Sequence, residues 1–294
     1  MSRNAQNMSE LRGTPFVKMT GSGNDFVFFD ARVVDTSSLT SPEVIRAICH
    51  RHNGIGADGI VVLEGLASSV PSVADSASQA RIHYFNADGT PADLCGNATL
   101  CSTVMAVDLG LAQGSGMGLD TPSGRIASRL VDGVPEIRLQ PVTLIRPEIE
   151  VEPVAGEQQI GYAIAGIPHL VILCEDADAV DLATRGPYLR RHPETGAAGA
   201  NVNWVSPRGD GTWRYRTFER GVEDETLACG TGAVATAILL STWGAAHSPI
   251  TIRSSSGRDL VVSLEGSSAA WKPTLRGEGR EVFRGQLGNL LVEP

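Results

Sequence analysis

The hydrophobic pattern of the first third of the chain predicts short strands separated by turns, with one amphipathic helix among them. Apolar runs bounded by turn residues predict strands over residues 15–19, 26–30, 60–63 and 81–85. Residues 41–50 begin with Ser-Pro and place Val44, Ile45 and Ile48 on one face, which predicts a capped helix. Residues 67–78, rich in Ala, Ser, Val and Pro, are interpreted as an exposed loop or insertion.

A second set of strands begins near Ile126 and continues almost to the C-terminus. The clearest strand patterns cover residues 134–139, 161–165, 169–174, 201–205, 212–218, 250–252, 260–264 and 281–283. Residues 176–191 are predicted to form a surface helix, and residues 194–200 a Gly/Ala loop. The chain is therefore rich in short strands and contains few helices.

Two segments, residues 98–109 and 232–243, are apolar nearly all round, which is typical of a buried helix. Each of these segments follows a Cys-Gly step. The order of several strands, a Cys-Gly step and a buried helix therefore occurs twice along the chain, although no sequence repeat is visible. This order predicts an α/β (α+β) fold of two similar halves. Each half wraps strands around one central helix, and we expect the helix ends to face the cleft between the halves, where ligands often bind.

Composition and charge exclude several classes of protein. The chain of 294 residues is long enough for one large or two ordinary domains, and 42% of its residues are hydrophobic. A formal charge of −9 argues against a broad basic surface for nucleic acid. No run of about 18 apolar residues predicts a membrane span. The polar N-terminus lacks the apolar core of a secretory signal, so we expect a cytoplasmic protein.

The five cysteines are few, odd in number and without the spacing of a zinc site, which argues against a disulfide scaffold or a metal centre. Cys49, Cys101 and Cys174 lie within apolar segments and are predicted to be core residues. Cys95 and Cys229 differ, because each precedes a glycine at the start of a buried helix. Their settings read FNADGTPADLCGN and FERG followed by TLACGTGA.

A thiol at a helix N-terminus has a lowered pKa, because the helix dipole stabilises the thiolate. The unpaired N–H groups of the first helical turn also bind carboxylates. A free cysteine is more often a small, inert core residue, but the repeated setting of Cys95 and Cys229 argues against that interpretation. Two such helix ends facing each other would hold one carboxylate between two thiols, an arrangement suited to inverting the adjacent carbon.

Two glycine motifs are interpreted as turns. The segment GIGADG at residues 54–59 matches the dinucleotide pattern GxGxxG, but a predicted helix precedes it and a strand follows, the reverse of the required order. The segment GSGNDF at residues 21–26 joins two predicted strands. A turn between two strands is enough to explain the residues of the second motif. The alternative interpretation is that Asn24 donates a hydrogen bond to the substrate.

Charged and titratable residues near the second cysteine permit two interpretations. Glu219 and Arg220 end a predicted strand, where a charged pair is usually structural, whereas a guanidinium can also clamp a carboxylate with two hydrogen bonds. His169 follows Pro168 in an apolar stretch and fits a structural or a functional role equally. A cysteine–histidine hydrolase would leave one of the two Cys-Gly helices without a purpose.

From Gly21 to about Gly285 the chain resembles the diaminopimelate epimerase family of cofactor-independent amino-acid epimerases. The segments that carry this resemblance are GSGNDF, RHNGIGADG, FNADGTPADLCGN, IPH, GANVNWV and ERGVEDETLACGTGA. The resemblance implies two pseudo-symmetric α/β domains, with the final strand returning to the first. We therefore expect domains at residues 1–129 plus 279–294, with Cys95, and at residues 130–278, with Cys229.

The resemblance also implies an activity, the epimerisation of LL- to meso-diaminopimelate, and a role for each matched residue. Cys95 and Cys229 would be the acid/base thiols, modulated by His169 and Glu219. The residues implied to bind substrate are Asn24, Asn86, Gly96, Asn97, Asn201, Glu219, Arg220, Gly230 and Thr231, with Arg220 on the distal carboxylate. No cofactor or metal, a small amino-acid substrate and a homodimer are further implications.

Three departures from the family pattern concern the substrate more than the chemistry. Ile167 stands where the family usually has Asn before Pro-His, and Ala98-Thr99-Leu100 replaces the commoner Gly-Ala-Arg. The segment from Glu219 to Cys229 carries one extra residue, which an exposed loop can absorb. A racemase of another amino acid is therefore one alternative. A non-enzymatic protein whose paired thiols sense oxidation is another.

Overall fold

A computed structural model describes residues 11–66, 78–92, 94–267 and 269–290 of the chain. The chain divides into two compact units, Met1–Ile137 with Glu278–Pro294, and Arg138–Gly277. The predicted loop at residues 67–78 lies almost wholly outside the described residues.

The chain up to the unit boundary forms eight strands and three helices in the described ranges. The strands are β1 (Pro15–Gly21), β2 (Asn24–Asp30), β3 (Gly59–Gly65), β4 (Ala80–Asn86), β5 (Pro91–Ala92), β6 (Met117–Thr121), β7 (Gly124–Val131) and β8 (Val134–Arg138). The helices are α1 (Thr36–Leu39), α2 (Pro42–Cys49) and α3 (Gly96–Asp108).

The remainder of the chain forms ten strands and two α-helices, again within the described ranges. The strands are β9 (Ile145–Arg146), β10 (Glu157–Ala165), β11 (Ile167–Cys174), β12 (Asn201–Pro207), β13 (Trp213–Glu219), β14 (Asp224–Thr226), β15 (Ile250–Arg253), β16 (Asp259–Ser267), β17 (Ala270–Arg276) and β18 (Arg280–Gln286). The helices are α4 (Leu182–Arg190) and α5 (Gly230–Thr242).

The first unit is built on the β1–β2 hairpin. Ser22 and Gly23 form its turn with φ angles of 54° and 112°, which makes them the two positive-φ residues of a tight hairpin connection. Strand β2 pairs in parallel with β3, and β3 pairs antiparallel with β4. The final strand β18 pairs antiparallel with β1, so the last segment of the chain completes the first unit.

The second unit repeats this arrangement around α5. The β10–β11 hairpin leads into β12, which pairs in parallel with β11 and antiparallel with β13. Helices α3 and α5 are each 13 residues long and are buried around most of their circumference. A helix without a polar face cannot lie at a surface, so each occupies the centre of its unit.

Strand register makes the two units equivalent where the sequence shows no repeat. Phe26 pairs with Gly59, which pairs with Asn86 on the next strand. In the second unit His169 is the parallel partner of Asn201, and Val202 pairs with Phe218, which places Asn201 beside Glu219 at the strand end. Asn86 and Glu219 therefore end equivalent strands, shortly before the two Cys-Gly steps.

Most predicted elements form, but the region after β11 differs from the prediction. The helix expected over residues 176–191 is interrupted, because a 3-10 turn at Ala177–Ala179 precedes α4. Asp181 caps α4, since its side chain accepts a hydrogen bond from the Thr184 N–H. A second 3-10 turn at Pro193–Thr195 lies where a loop was expected. The hydrophobic pattern does not predict β5, β6, β9, β14 or β17, although every residue of β17 pairs with β16.

Candidate active site

Cys95 and Cys229 occupy the same structural position, the N-cap of the central helix of each unit. Their backbones are extended, with φ/ψ of −130°/115° for Cys95 and −131°/110° for Cys229. The first helical hydrogen bonds run from Thr99 N–H to the Cys95 carbonyl and from Ala233 N–H to the Cys229 carbonyl, each 2.9 Å long. The N–H groups of the residues before Thr99 and Ala233 precede these first helical bonds, and such groups at a helix N-terminus can bind an anion.

Polar side chains surround the Cys229 sulfur. The thiol side chain is buried, and its Sγ lies 3.5 Å from Thr231 Oγ1 and 3.7 Å from Asn201 Nδ2. The Asn201 Oδ1 accepts a 2.9 Å hydrogen bond from the Arg220 backbone N–H. Because that N–H can only donate, the amide group of Asn201 must face the sulfur.

His169 lies behind Thr231, with its Nε2 3.1 Å from Thr231 Oγ1. The imidazole is fully buried, and burial, reinforced by the positive charge of Arg220, lowers its pKa to about 3. The ring is therefore neutral at physiological pH, because a charged imidazolium is too costly to desolvate there. His169 reaches Cys229 through Thr231.

Glu219 and Arg220 end strand β13 beside this cluster. Glu219 Oε1 accepts a 2.5 Å hydrogen bond from Thr226 Oγ1, which ties the strand end to β14. The Arg220 guanidinium contacts the Gly199 carbonyl oxygen at 3.5 Å, and no carboxylate of the described residues forms an ion pair with it. A planar guanidinium with unused donors is suited to bind a carboxylate.

In the first unit Asn24 is held next to the helix N-terminus. Its Nδ2 donates to Asp58 Oδ2 at 2.9 Å, and its Oδ1 accepts from Asn97 Nδ2 at 2.6 Å. Because a carboxylate can only accept, Asp58 determines the orientation of the Asn24 amide. Asn24 and Asn97 therefore contact each other directly, although 73 positions separate them.

Asn86 lies at the end of β4, where its Nδ2 donates to Thr90 Oγ1 at 3.1 Å. Cys95 lines a small recess together with Ile82, Tyr84, Ala92, Leu94, Ala98, Thr99, Thr121 and Pro122. Asn86, Asn24, Asn97 and Cys95 thus belong to one unit, whereas Cys229, His169, Asn201 and Thr231 belong to the other.

The three remaining cysteines are core residues, as predicted. Cys49, Cys101 and Cys174 are all buried, and desolvation raises the pKa of each thiol, to about 12 for Cys49 and Cys174. Leu100, one of the departures from the family pattern, is also fully buried. In the described ranges no group of three or more His, Cys, Asp or Glu side chains is arranged to hold a metal ion.

Two residues near the sites were not singled out in the sequence. Asp58 was interpreted only as part of a turn, yet it orients Asn24. Asn203 lies two residues beyond Asn201 on the same strand and contacts His169 Nδ1 at 3.3 Å. The alternation of a strand puts residues two apart on one face, so the motif GANVNWV held the signal for Asn203.

Solved structures of an epimerase and of a phenazine biosynthesis protein share this fold. A hydroxyproline epimerase from Agrobacterium vitis superposes with a TM-score of 0.67 at 18% identity, covering 95% of this chain and 93% of that one. A phenazine biosynthesis protein of the PhzF family from Bacillus anthracis gives a TM-score of 0.66 at 14% identity, covering 93% and 98%. The predicted fold class, strands around a central helix in each of two similar units, is confirmed.

The family model for diaminopimelate epimerase matches residues 16–139 and 161–270. The diaminopimelate epimerase of Gemmatimonas aurantiaca is 60% identical over 284 residues, covering 94% of this chain and 99% of that protein. The enzyme of the same name from Aquifex aeolicus is 33% identical, covering 95% and 99%. The chain belongs to the diaminopimelate epimerase family.

None of the helices among the described residues is long and apolar enough to span a membrane.

Proposed function

We propose that this protein interconverts LL- and meso-diaminopimelate, with Cys95 and Cys229 as its two acid/base thiols. The observation that carries the proposal is the shared N-cap position of both cysteines on buried central helices. Family membership and the 60% identical relative, named a diaminopimelate epimerase, support the choice of substrate. Such an enzyme serves the biosynthesis of lysine and peptidoglycan precursors.

In the proposed reaction, one cysteine thiolate removes the α-proton and the other thiol delivers a proton to the opposite face. Inversion requires two groups, since a single base that returned its own proton would restore the starting isomer. The α-carboxylate is bound by the first-turn N–H groups of Gly96, Asn97, Gly230 and Thr231. The same donors stabilise the charge that builds up on the carboxylate as the proton leaves, without a cofactor.

The remaining candidate residues hold the substrate and tune the thiols. Arg220 binds the distal carboxylate, which suits its unused guanidinium donors. Asn24, Asn86 and Asn201 provide amide contacts, while His169 and Glu219 modulate the thiols. Glu219 also contacts the substrate.

We further propose that the two domains correspond to residues 1–129 plus 279–294 and 130–278, with the substrate bound between them. The two compact units, which divide the chain at Ile137 and Glu278, support this division. We also propose that the protein is a cytoplasmic homodimer that binds neither membranes nor nucleic acid.

The test is incubation of the reduced protein with LL-diaminopimelate in D2O, following stereochemistry and deuterium at the α-carbon. We expect inversion with deuterium uptake, and loss of epimerisation in both Cys95→Ala and Cys229→Ala. Cys174→Ala is the matched control, since it removes a buried thiol outside the proposed site and should retain activity. Full epimerisation by either active-site variant would refute the two-thiol mechanism.

A racemase of another amino acid is the second candidate, and Ile167 is the observation that favours it. Ile167 begins β11 and is 36% exposed, an unusual position for a large apolar side chain. Ile167 corresponds in strand register to Asn24 of the first unit. Ile167 lies two residues before His169, which pairs with the first residue of the parallel strand β12. Asn24 likewise lies two residues before Phe26, which pairs with the first residue of the parallel strand β3.

The variant Ile167→Asn distinguishes the two substrates. If diaminopimelate is the substrate, restoring the amide should lower KM about fivefold, equivalent to one hydrogen bond of about 1 kcal/mol. Ile167→Leu is the control and should leave KM unchanged. A panel of L-amino acids with chiral detection is run beside both variants, and turnover of another amino acid in preference to diaminopimelate would favour the racemase.

A further inference from the structure

Behind Cys229 lies a chain of buried hydrogen bonds that can be traced outward from a backbone carbonyl, the oxygen of Leu170. Asn203 Nδ2 lies 2.7 Å from the Leu170 carbonyl oxygen, and Asn203 Oδ1 lies 2.9 Å from the Tyr215 hydroxyl. A carbonyl can only accept, so the atom facing Leu170 must be the amide nitrogen. Asn203 Oδ1 also accepts a 3.0 Å hydrogen bond from the Thr217 hydroxyl.

The second hydrogen on Asn203 Nδ2 points to His169 Nδ1 at 3.3 Å. His169 Nδ1 must therefore accept, which leaves the proton of the neutral ring on Nε2. Nε2–H donates to Thr231 Oγ1 at 3.1 Å, and the Thr231 hydroxyl hydrogen is then directed to the Cys229 sulfur at 3.5 Å. Asn201 Nδ2 is a further donor near that sulfur, at 3.7 Å.

We propose that Asn203 is a positioning residue that holds His169 as the Nε2–H tautomer and so directs the Thr231 hydroxyl proton onto the Cys229 sulfur. His169 is then a neutral hydrogen-bond donor that stabilises the Cys229 thiolate through Thr231. It keeps its Nε2 proton throughout the reaction and transfers none. The inference rests on the proposed role of Cys229 as an acid/base thiol. Asn203 touches no reacting atom, since it acts only through His169 and Thr231.

The first test observes the tautomer directly, by NMR of 15N-labelled imidazoles in the reduced full-length protein. The His169 signals are assigned by their loss in His169→Gln. We expect Nε2 protonated and Nδ1 unprotonated from pH 5 to pH 9. A protonated Nδ1, or an imidazolium within this range, would overturn the proposal, whether or not any variant folds.

The second test measures the pH dependence of Cys229 alkylation by iodoacetamide, resolved from Cys95 by mass spectrometry. Titratable or charged groups around the cluster are His169, Tyr215, Glu219 and Arg220, and the variants leave all of them in place. Thr231→Val removes the hydroxyl and should move the Cys229 profile about one pH unit to higher pH, as loss of a hydrogen bond to a charged group requires.

Thr231→Ser keeps the hydroxyl and should retain the wild-type profile. Asn203→Leu should produce an alkaline shift smaller than that of Thr231→Val, accompanied by a mixture of His169 tautomers. An unshifted profile in either Thr231→Val or Asn203→Leu contradicts the proposal. Neither test uses a substrate, so a protein that fails to turn over diaminopimelate can still confirm the tautomer, and an active enzyme can still refute it.

Discussion

At the scale of single residues, position relative to a helix end separates the two cysteines proposed as acid/base groups from those of the core. Cys95 and Cys229 cap the central helices, whereas Cys101 lies one turn inside α3 and is completely buried. Desolvation raises the pKa of the Cys101 thiol, which makes it a poor acid/base group. The helix N-terminus acts in the opposite direction, because its dipole favours a thiolate.

Gly232 shows how closely the residues around Cys229 are packed. A Cβ at this position would overlap the Tyr215 hydroxyl and lie 2.6 Å from Asn203 Oδ1. Gly232→Ala should therefore destabilise the protein by about 1–3 kcal/mol in urea unfolding, although alanine normally favours a helix. Gly209→Ala, with nothing within 4 Å of the new methyl group, should change stability by no more than about 0.5 kcal/mol. Wild-type stability of Gly232→Ala would be incompatible with this packing.

The buried neutral His169 also predicts how stability depends on pH. Its pKa of about 3 in the folded state lies below the ordinary value of 6.5, so below pH 6.5 the unfolded chain gains a proton that the folded chain does not. The stabilisation that depends on neutral His169 is fully present above pH 6.5 and is lost as the pH falls toward 3. Over that range the free energy of unfolding decreases by no more than about 1.4 kcal/mol per pH unit from this residue.

The measurement is the free energy of unfolding of wild type and His169→Gln at a series of pH values. The difference between the two proteins removes the contribution of the carboxylates. We expect the wild type to lose more stability than His169→Gln between pH 6.5 and pH 4. Parallel curves would mean that His169 titrates normally in the folded protein.

At the scale of secondary structure elements, a charged cluster fixes the β1–β2 hairpin against the segment before β3. Buried Lys18 on β1 pairs with Asp25 at 2.7 Å and also donates to the Gly56 carbonyl. Arg51 contacts both Asp25 and Asp58. Burial by itself raises the pKa of Asp25, but the hydrogen bonds from Arg51 and Lys18 outweigh it and keep that pKa below its ordinary value. Through Asp58 this cluster orients Asn24.

Lys18→Met should destabilise the protein by about 1–3 kcal/mol, because it leaves a partly buried carboxylate with one cation fewer. The measurement is urea unfolding monitored by circular dichroism. Arg46→Met breaks an exposed ion pair with Glu43 and is the matched control, with an expected change below about 0.5 kcal/mol. Equal effects of the two substitutions would exclude a structural role for the Lys18 pair.

At the scale of the whole molecule, the chain closes its first unit with its last strand. The β1–β18 ladder runs from the pair Pro15 and Gln286 to the pair Thr20 and Arg280. Leu287, just beyond β18, is buried in the same apolar cluster as Phe16. The first unit is therefore incomplete until the second has been synthesised.

Deleting residues 278–294 should strip β1 of this partner, lower the melting temperature and reduce the soluble yield. A synthetic peptide covering residues 278–290, added in trans, should restore part of the lost stability by pairing with β1. The control is a peptide of the same composition in scrambled order. A truncated protein that melts like the full chain would show that β18 contributes little to the first unit.

The sequence by itself determined the elements and the chemistry that depend on neighbouring residues. The Cys-Gly steps predicted both helix starts, because a cap and its first turn are consecutive in the chain. Apolar runs predicted two buried helices and most strands, and the motif order predicted the family. The helix expected over residues 176–191 failed, because a local cap at Asp181 divides a segment that hydrophobic periodicity treats as continuous.

Only the tertiary structure decided which polar side chains contact each other near the N-terminus of each central helix. Asn203 and His169 are 34 positions apart, and they meet because β11 and β12 pair in parallel with one register. Asp58 and Asn24 are likewise 34 positions apart and meet through the pairing of β2 with β3. A shift of one residue in either ladder would turn these side chains to the other face. Register forms only when the strands assemble, so no local pattern in the chain specifies these contacts.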